Sequence, residues 1–172
     1  MPPAWLDLRA VGDPVLLVCT NGRRDVCCAT LGRDVASHAA QAFPDRIWEA
    51  SHLSGHRLAA TTVLLPSGDL HGRVLDATTI VTAADRGELL ATGWRGRSTW
   101  ERAGQVAEFA IREREGIWDA GALTVQSSGD QWLVTATHRS WVVSVVERLI
   151  GEAPPSCGKP AQPTYDFDVT IR

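Results

Sequence analysis

Residues 14–18 read PVLLV, a short apolar run that is followed directly by Cys19. A run of this length, bounded by a polar loop over residues 20–25, predicts a buried strand. Residues 31–43 then show an alanine-rich helical pattern that ends before a proline, and residues 47–50 predict a second strand. Strand, helix and strand in this order predict a parallel crossover, so we expect both strands to end at one edge of a sheet.

The remaining elements of the first half continue this pattern up to residue 94. They are a short helix, two strands joined by a hairpin turn, and a helix that stops at a glycine: residues 56–60, 61–65, 70–75 and 83–91. The whole order is β-α-β-α-β-β-α, which is the order of a thioredoxin-like α/β fold with two crossovers and then a hairpin. We therefore predict a thioredoxin-like domain over residues 1–94.

The second half of the chain predicts a C-terminal α+β extension over residues 95–172, packed on the first domain. Residues 95–98 (RGRS) predict a polar joint, and residues 100–113 an amphipathic helix. The apolar side of this helix is expected to carry Val106, Phe109, Ala110 and Ile111. Strands are predicted over residues 122–126, 131–137, 141–146 and 164–171.

Composition and charge exclude several classes of function. The chain has 172 residues, 44% of them hydrophobic, and a net charge of -3. This suits a globular domain and argues against a nucleic-acid-binding polyelectrolyte. No segment approaches the roughly 18 apolar residues that a membrane helix needs, and residues 1–10 lack the apolar centre of a signal peptide. We therefore expect a cytoplasmic protein, whose cysteines serve metal binding or redox chemistry rather than a disulfide framework.

Cysteine and histidine follow the two strands of the crossover. Cys19, Cys27 and Cys28 lie in one segment, and His52 and His56 form an H-x3-H pair in the other. Because both segments leave the carboxyl ends of parallel strands, we expect thiolates and imidazoles to share a pocket. Two Cys and two His suit a tetrahedral Zn²⁺, or a [2Fe-2S] cluster with thiolates on one iron and imidazoles on the other. Structural zinc sites usually take a cysteine pair from a tight C-x2-4-C knuckle. The wider C-x7-C or C-x8-C spacing of this chain suits the larger cluster better.

The same motifs resemble those of a known protein family. Residues 19–28 (CTNGRRDVCC) and 51–57 (SHLSGHR) resemble the two main motifs of the sucrase/ferredoxin-like family. Residues 95–97 and 156–159 resemble later blocks of the same family. The resemblance implies a thioredoxin-like [2Fe-2S] ferredoxin of the bis-histidinyl branch.

The resemblance also implies which residues hold the cluster. The implied ligands are Cys19, Cys28, His52 and His56. Cys27 is an alternative to Cys28, which we favour because the family's C-x8-C spacing ends there. Cys27 is then expected to be a small buried residue. Cys157 is expected to be a structural thiol, a shield over the cluster or a spare ligand.

Such a protein is expected to carry electrons rather than to act as an enzyme on its own substrate. Two neutral histidines in place of two thiolates remove two negative charges, so the potential should exceed that of plant-type ferredoxins. Each ligating histidine keeps a nitrogen that can carry a proton, so electron transfer should depend on pH. Arg23, Arg24 and Arg57 lie beside the ligands. They are expected to stabilise the reduced cluster or to dock an acidic redox partner, such as a flavoprotein reductase.

Other functions would use the same residues differently. A structural zinc-binding domain would employ the same four ligands and would be colourless. A thiol–disulfide protein would use Cys27 and Cys28, although redox-active thioredoxin motifs are C-x-x-C and an adjacent pair closes a strained ring. A glycoside hydrolase, suggested only by the family's name, needs two carboxylates across a cleft, and the sequence singles out no such pair.

Overall fold

The computed structural model describes residues 12–23, 26–53, 55–155 and 158–172, and of His56 it describes the backbone alone. In chain order its elements are β1 (Val15–Cys19), α1 (Val26–Ala42), β2 (Ile47–Ala50), a 3-10 helix (His56–Leu58), β3 (Thr62–Leu65), β4 (Asp69–His71), α2 (Thr78–Asp85), β5 (Trp94–Arg97), α3 (Arg102–Glu115), β6 (Thr124–Ser128), β7 (Gln131–Ala136), β8 (Arg139–Ala153) and β9 (Gln162–Ile171). Within the described ranges, no helix is both long and apolar enough to cross a membrane.

The first sheet has the strand order β2-β1-β3-β4-β5. Strands β1 and β2 are parallel, as the crossover predicts, and the remaining pairs are antiparallel. The predicted α/β class is therefore confirmed. The second expected crossover is wrong, because a parallel return needs a longer connection, usually a full helix, and only the 3-10 helix precedes β3. The more specific thioredoxin-like assignment stays a prediction.

Helix α1 begins at Val26, earlier than the predicted start at residue 31, so Cys27 and Cys28 belong to the helix. Its buried side is formed by Cys28, Gly32, Val35, Ala36 and Ala39, which follow helical spacing from the first turn onward. The prediction omits the first turn because Val26, two cysteines and Thr30 carry little helical signal.

Two further boundaries differ from the prediction. Helix α2 covers Thr78–Asp85 instead of residues 83–91. The Asp76 carboxylate accepts hydrogen bonds from the Thr78 backbone N–H and hydroxyl, at 2.9 and 2.7 Å, and so fixes the helix start among threonines of low helix propensity. Residues 94–97 form β5 rather than a polar joint, because their backbone pairs with β4 although the side chains include two arginines.

Two apolar cores lie against the two sheets. The first core joins Leu16 and Val18 of β1 with residues of β3, α1 and α2, such as Val35 and Ile80. The second sheet is antiparallel with the order β6-β7-β8-β9. It packs on α3 through Ala107 and Ile111. The predicted division at residue 94 stays a prediction, and β5 beyond it pairs with the first sheet.

Helix α3 buries a different side from the one predicted. Val106, Phe109 and Ala110 are only half-buried, whereas Glu108 and Arg112 are 0% exposed. An i, i+4 pair of opposite charges resembles a solvent-exposed pair in sequence. The pair is bound by β5 and by the segment after α3, because Arg97 contacts Glu108 and Arg112 donates to the Ile117 carbonyl. The expected apolar side is therefore wrong in all but Ile111.

Glu108 and Arg112 form a buried ion cluster with Asp69 and Arg97. The Glu108 carboxylate accepts from Arg112 over 2.8 Å and lies 2.9 Å from Nη2 of Arg97. Arg97 in turn lies 3.9 Å from Asp69, whose carboxylate accepts the indole N–H of Trp94 over 2.9 Å. The cluster pairs two guanidinium groups with two carboxylates, and it connects β4 and β5 of the first sheet to α3.

Candidate metal centre

Strands β1 and β2 bring the two candidate ligand segments to one edge of the first sheet. The parallel register pairs Cys19 with Ala50, and the Thr20 backbone N–H donates to the Ala50 carbonyl over 3.1 Å. The segment with the cysteines therefore starts beside the segment that carries His52, as the crossover predicts.

Gly32 allows α1 to pack closely on the end of β1. A Cβ atom at this position would overlap the carbonyl oxygen of Cys19, so no larger residue fits. Cys28 lies one turn before Gly32 on the same buried side of the helix. Cys19 and Cys28 are therefore held at the same end of β1, and both are 0% exposed and outside disulfide bonds.

Cys27 differs from its neighbour in both burial and chemistry. It is half-buried and disulfide-bonded, so the expectation of a plain buried residue is wrong. Adjacent helical positions point about 100° apart, so Cys27 leaves the buried side that Cys28 occupies. A sulfur in a disulfide bond is not a thiolate and does not ligate a metal ion while that bond persists. Arg24 and Cys157, which were given candidate roles, lie outside the described residues.

The histidine segment is more exposed than the two thiols. His52 is exposed, and His56 begins the 3-10 helix, whose Leu58 backbone N–H donates to the Gly55 carbonyl over 2.8 Å. Among the side chains that the structure describes, no three of the types His, Cys, Asp and Glu gather as a group that could hold a metal ion. His52 thus follows β2 at the same sheet edge as Cys19, but among the described side chains it belongs to no group that could hold a metal ion.

An open cavity of about 400 Å³ lies at the same edge, between the segment after β1 and the end of β2. The Thr20 hydroxyl donates to the Glu49 carboxylate over 2.7 Å and so connects the two sides of the cavity. Arg23 and Arg33 line it and are exposed. The cavity therefore has a positively charged rim beside the cysteine segment.

The sequence model of the sucrase/ferredoxin-like family matches residues 7–111. This chain belongs to the sucrase/ferredoxin-like family. The matched part contains both ligand segments, the whole first sheet and most of α3. No curated protein and no solved structure matches the chain. Membership of the sucrase/ferredoxin-like family does not in itself assign a cofactor, so the cofactor has to be argued from the residues.

Arg57 connects the histidine segment of this family member to the second sheet. The guanidinium of Arg57 donates to the hydroxyl of Thr164 in β9 over 3.2 Å, and both groups are at the surface. The paired strands β8 and β9 extend from Val143 and Ile171 to Ala153 and Gln162, and this ribbon reaches the segment that follows His56. The second sheet is therefore part of the surroundings of the candidate centre.

Arg95 of β5 also lies against the histidine segment, and the sequence prediction gave it no role. A Cβ atom at Gly55 would lie 2.5 Å from Nη1 of Arg95, and one at Gly72 would lie 3.0 Å from its Cδ. Gly55 has a φ of +72°, a conformation that glycine adopts without strain. Burial lowers the pKa of the Arg95 guanidinium from its ordinary value. The only signal in the sequence was the RGR block at residues 95–97.

Proposed function

We propose that this protein transfers electrons and carries a [2Fe-2S] cluster held by Cys19, Cys28, His52 and His56. The observation that carries the proposal is the placement of two buried cysteines outside disulfide bonds at the end of β1 and the start of α1, beside the H-x3-H segment. In this arrangement Cys19 and Cys28 hold one iron, and His52 and His56 hold the other. The bound cluster supplies one-electron chemistry.

The arrangement of donors favours a two-iron cluster over a single zinc ion. Tetrahedral zinc requires all four donor atoms within about 2.3 Å of one point. A two-iron cluster requires only one pair of donors at each iron. Cys19 and Cys28 are fully buried whereas His52 is exposed, so thiols and imidazole lie at different depths of one sheet edge. This separation supports ligation by two pairs.

The contrast between the adjacent cysteines supports Cys28 as the second thiolate. Cys28 is outside any disulfide bond and lies on the side of α1 that contacts β1 through Gly32. Cys27 lies off that side and is disulfide-bonded. Of the two, only Cys28 has both the placement and the chemical state that a ligand needs.

The exposed side of the centre suits exchange of electrons with a partner protein. Because the His52 side chain is exposed, a cluster held there would lie close to the surface that a partner protein contacts. Arg23 and Arg33 add positive charge beside the cysteine segment, which favours an acidic partner surface. We propose a flavoprotein reductase as that partner. We also propose a cytoplasmic location, in which Cys19 and Cys28 stay reduced, and the disulfide bond at Cys27 is the feature that is unusual for such a compartment.

Anaerobic reconstitution followed by metal analysis tests the proposal. The wild-type protein should show visible absorption and contain about two iron and two sulfide per chain. Cys28→Ser should remove this absorption, and Cys27→Ser is the matched control that should retain it. A colourless protein with about one zinc per chain, after anaerobic isolation and attempted reconstitution, would reassign the same residues to a structural zinc site.

A further inference from the structure

Arg95 places a guanidinium group directly against the backbone of the histidine segment. Its Nη1 lies 2.5 Å from the position that a Cβ of Gly55 would occupy, and Gly55 directly precedes His56. The stem of the side chain packs on Gly72, where a Cβ atom would lie 3.0 Å from Cδ. Two glycines therefore make room for this one side chain, and they direct its charge toward the H-x3-H segment.

The guanidinium of Arg95 has no carboxylate within ion-pair distance in the described part of the chain, although Glu113 and Asp166 line the same groove. The structure gives it no hydrogen bond and no ion pair there, whereas Arg97, two residues further along β5, pairs with Glu108. Burial is the cause of the lowered pKa of Arg95. An arginine keeps its proton nevertheless, because its ordinary pKa lies far above neutral pH. Arg95 is thus a fixed and half-buried positive charge beside the histidine segment.

We infer that Arg95 is a positioning residue that stabilises the reduced state of the centre through its charge. The inference rests on the proposed function. One electron from an external reductant makes the centre one unit more negative, and no bond forms or breaks in Arg95. A permanent positive charge at a partly desolvated position interacts more favourably with the reduced state than with the oxidised state. The midpoint potential should therefore be higher with Arg95 than without it.

Neutral substitutions of Arg95 separate this charge effect from simple packing. Arg95→Gln removes the charge, and Arg95→Met removes it while keeping an apolar stem for Gly72. Arg95→Lys keeps the charge and changes the shape. Arg102→Gln is the control, since Arg102 lines the same groove as Arg95 but is exposed and paired with Glu147 over 3.1 Å.

The test is a dithionite titration of each reconstituted protein at one pH, followed by its visible absorption and its EPR signal. In both neutral variants the ratio of reduced to oxidised protein at a given potential should fall about tenfold, which equals about 59 mV for one electron. Arg95→Lys should keep most of the wild-type potential, and Arg102→Gln should leave it unchanged. A neutral variant that holds the cluster at the wild-type potential overturns the inference. A wild-type protein that binds no cluster overturns the proposed function instead.

Discussion

Arginine has carboxylate partners in the buried ion cluster but none at the histidine segment, residues 52–56, among the residues that the structure describes. In the ion cluster, Arg97 and Arg112 lie 2.9 and 2.8 Å from the same carboxylate, that of Glu108. At the histidine segment, Arg95 has no carboxylate partner within the described ranges and lies against Gly55. These two environments are separated by a single residue of β5, Gly96.

The difference separates charge that maintains the fold from charge that is available to a ligand. The two charges of a buried ion pair compensate each other, so removing one of them leaves an uncompensated buried charge and lowers the stability of the fold. A half-buried cation without a carboxylate is compensated only when another negative group arrives, as it does on reduction of a neighbouring centre. We therefore expect substitutions in the ion cluster to change stability, and substitutions at the sheet edge to change metal binding or potential.

The largest effect on stability is expected from Glu108→Gln. This change keeps the shape of the side chain but leaves Arg97 and Arg112 without their shared charge partner, at a cost of about 3–5 kcal/mol in the free energy of unfolding. Urea unfolding followed by circular dichroism measures it. Glu115→Gln is the control on the same helix, because Glu115 pairs with Arg139 near the surface. It should change stability by less than about 0.5 kcal/mol. Equal effects of the two substitutions would contradict a special role for the ion cluster.

A smaller effect, confined to the candidate centre, is expected from Gly32→Ala. Glycine to alanine inside a helix normally stabilises a protein by up to about 1 kcal/mol. Here the new methyl group would overlap the Cys19 carbonyl, so we expect destabilisation by about 1–3 kcal/mol and weaker iron binding after reconstitution.

The control for this change is Ser37→Ala at an exposed position of the same helix, which should be neutral or slightly stabilising. A more stable Gly32→Ala protein with full iron content would show that α1 does not need its close contact with β1.

The smallest effect is expected from the titration of His71, a buried side chain of β4. Burial lowers its pKa, and one ring nitrogen bonds the Leu90 carbonyl over 3.0 Å while Nδ1 has no partner among the described residues. The unfolded chain takes up a proton below about pH 6.5, whereas the folded protein does so only at lower pH. The titration of His71 should therefore not affect the free energy of unfolding above that pH. It should lower the free energy of unfolding as the pH falls toward the pKa of His71 in the folded protein.

Urea midpoints at a series of pH values between about 7 and 5 measure this loss. His71→Gln should reduce the pH dependence, because the amide can donate to Leu90 and does not take up a proton. His138→Gln, at an exposed position, is the control and should leave the slope unchanged. Identical slopes in the wild-type protein and in His71→Gln would contradict the buried neutral histidine.

Local patterns predicted the part of the fold that local interactions determine. The apolar run before Cys19, the helix after it and the strand at Ile47–Ala50 were sufficient to predict the parallel crossover. The crossover in turn predicted that the cysteine and histidine segments would leave one sheet edge. The α/β class followed from the same order of elements.

Long-range packing determines what the sequence did not predict. Glu108 and Arg112 have the spacing of a surface pair, but they are buried against partners outside α3: Arg97 of β5 and the carbonyl of Ile117. Arg95 was assigned to a polar joint, because the pairing of β5 with β4 cannot be read from its own residues. Its contact with Gly55 joins positions whose proximity exists only in the folded sheet.

The central claim is bis-histidinyl ligation of a [2Fe-2S] cluster, and pulsed EPR of the dithionite-reduced protein tests it most directly. We predict a Rieske-like signal with hyperfine coupling to the nitrogens of two histidines, and loss of one coupling in each of His52→Ala and His56→Ala wherever the cluster survives. A reduced cluster without nitrogen coupling would contradict the assignment of His52 and His56.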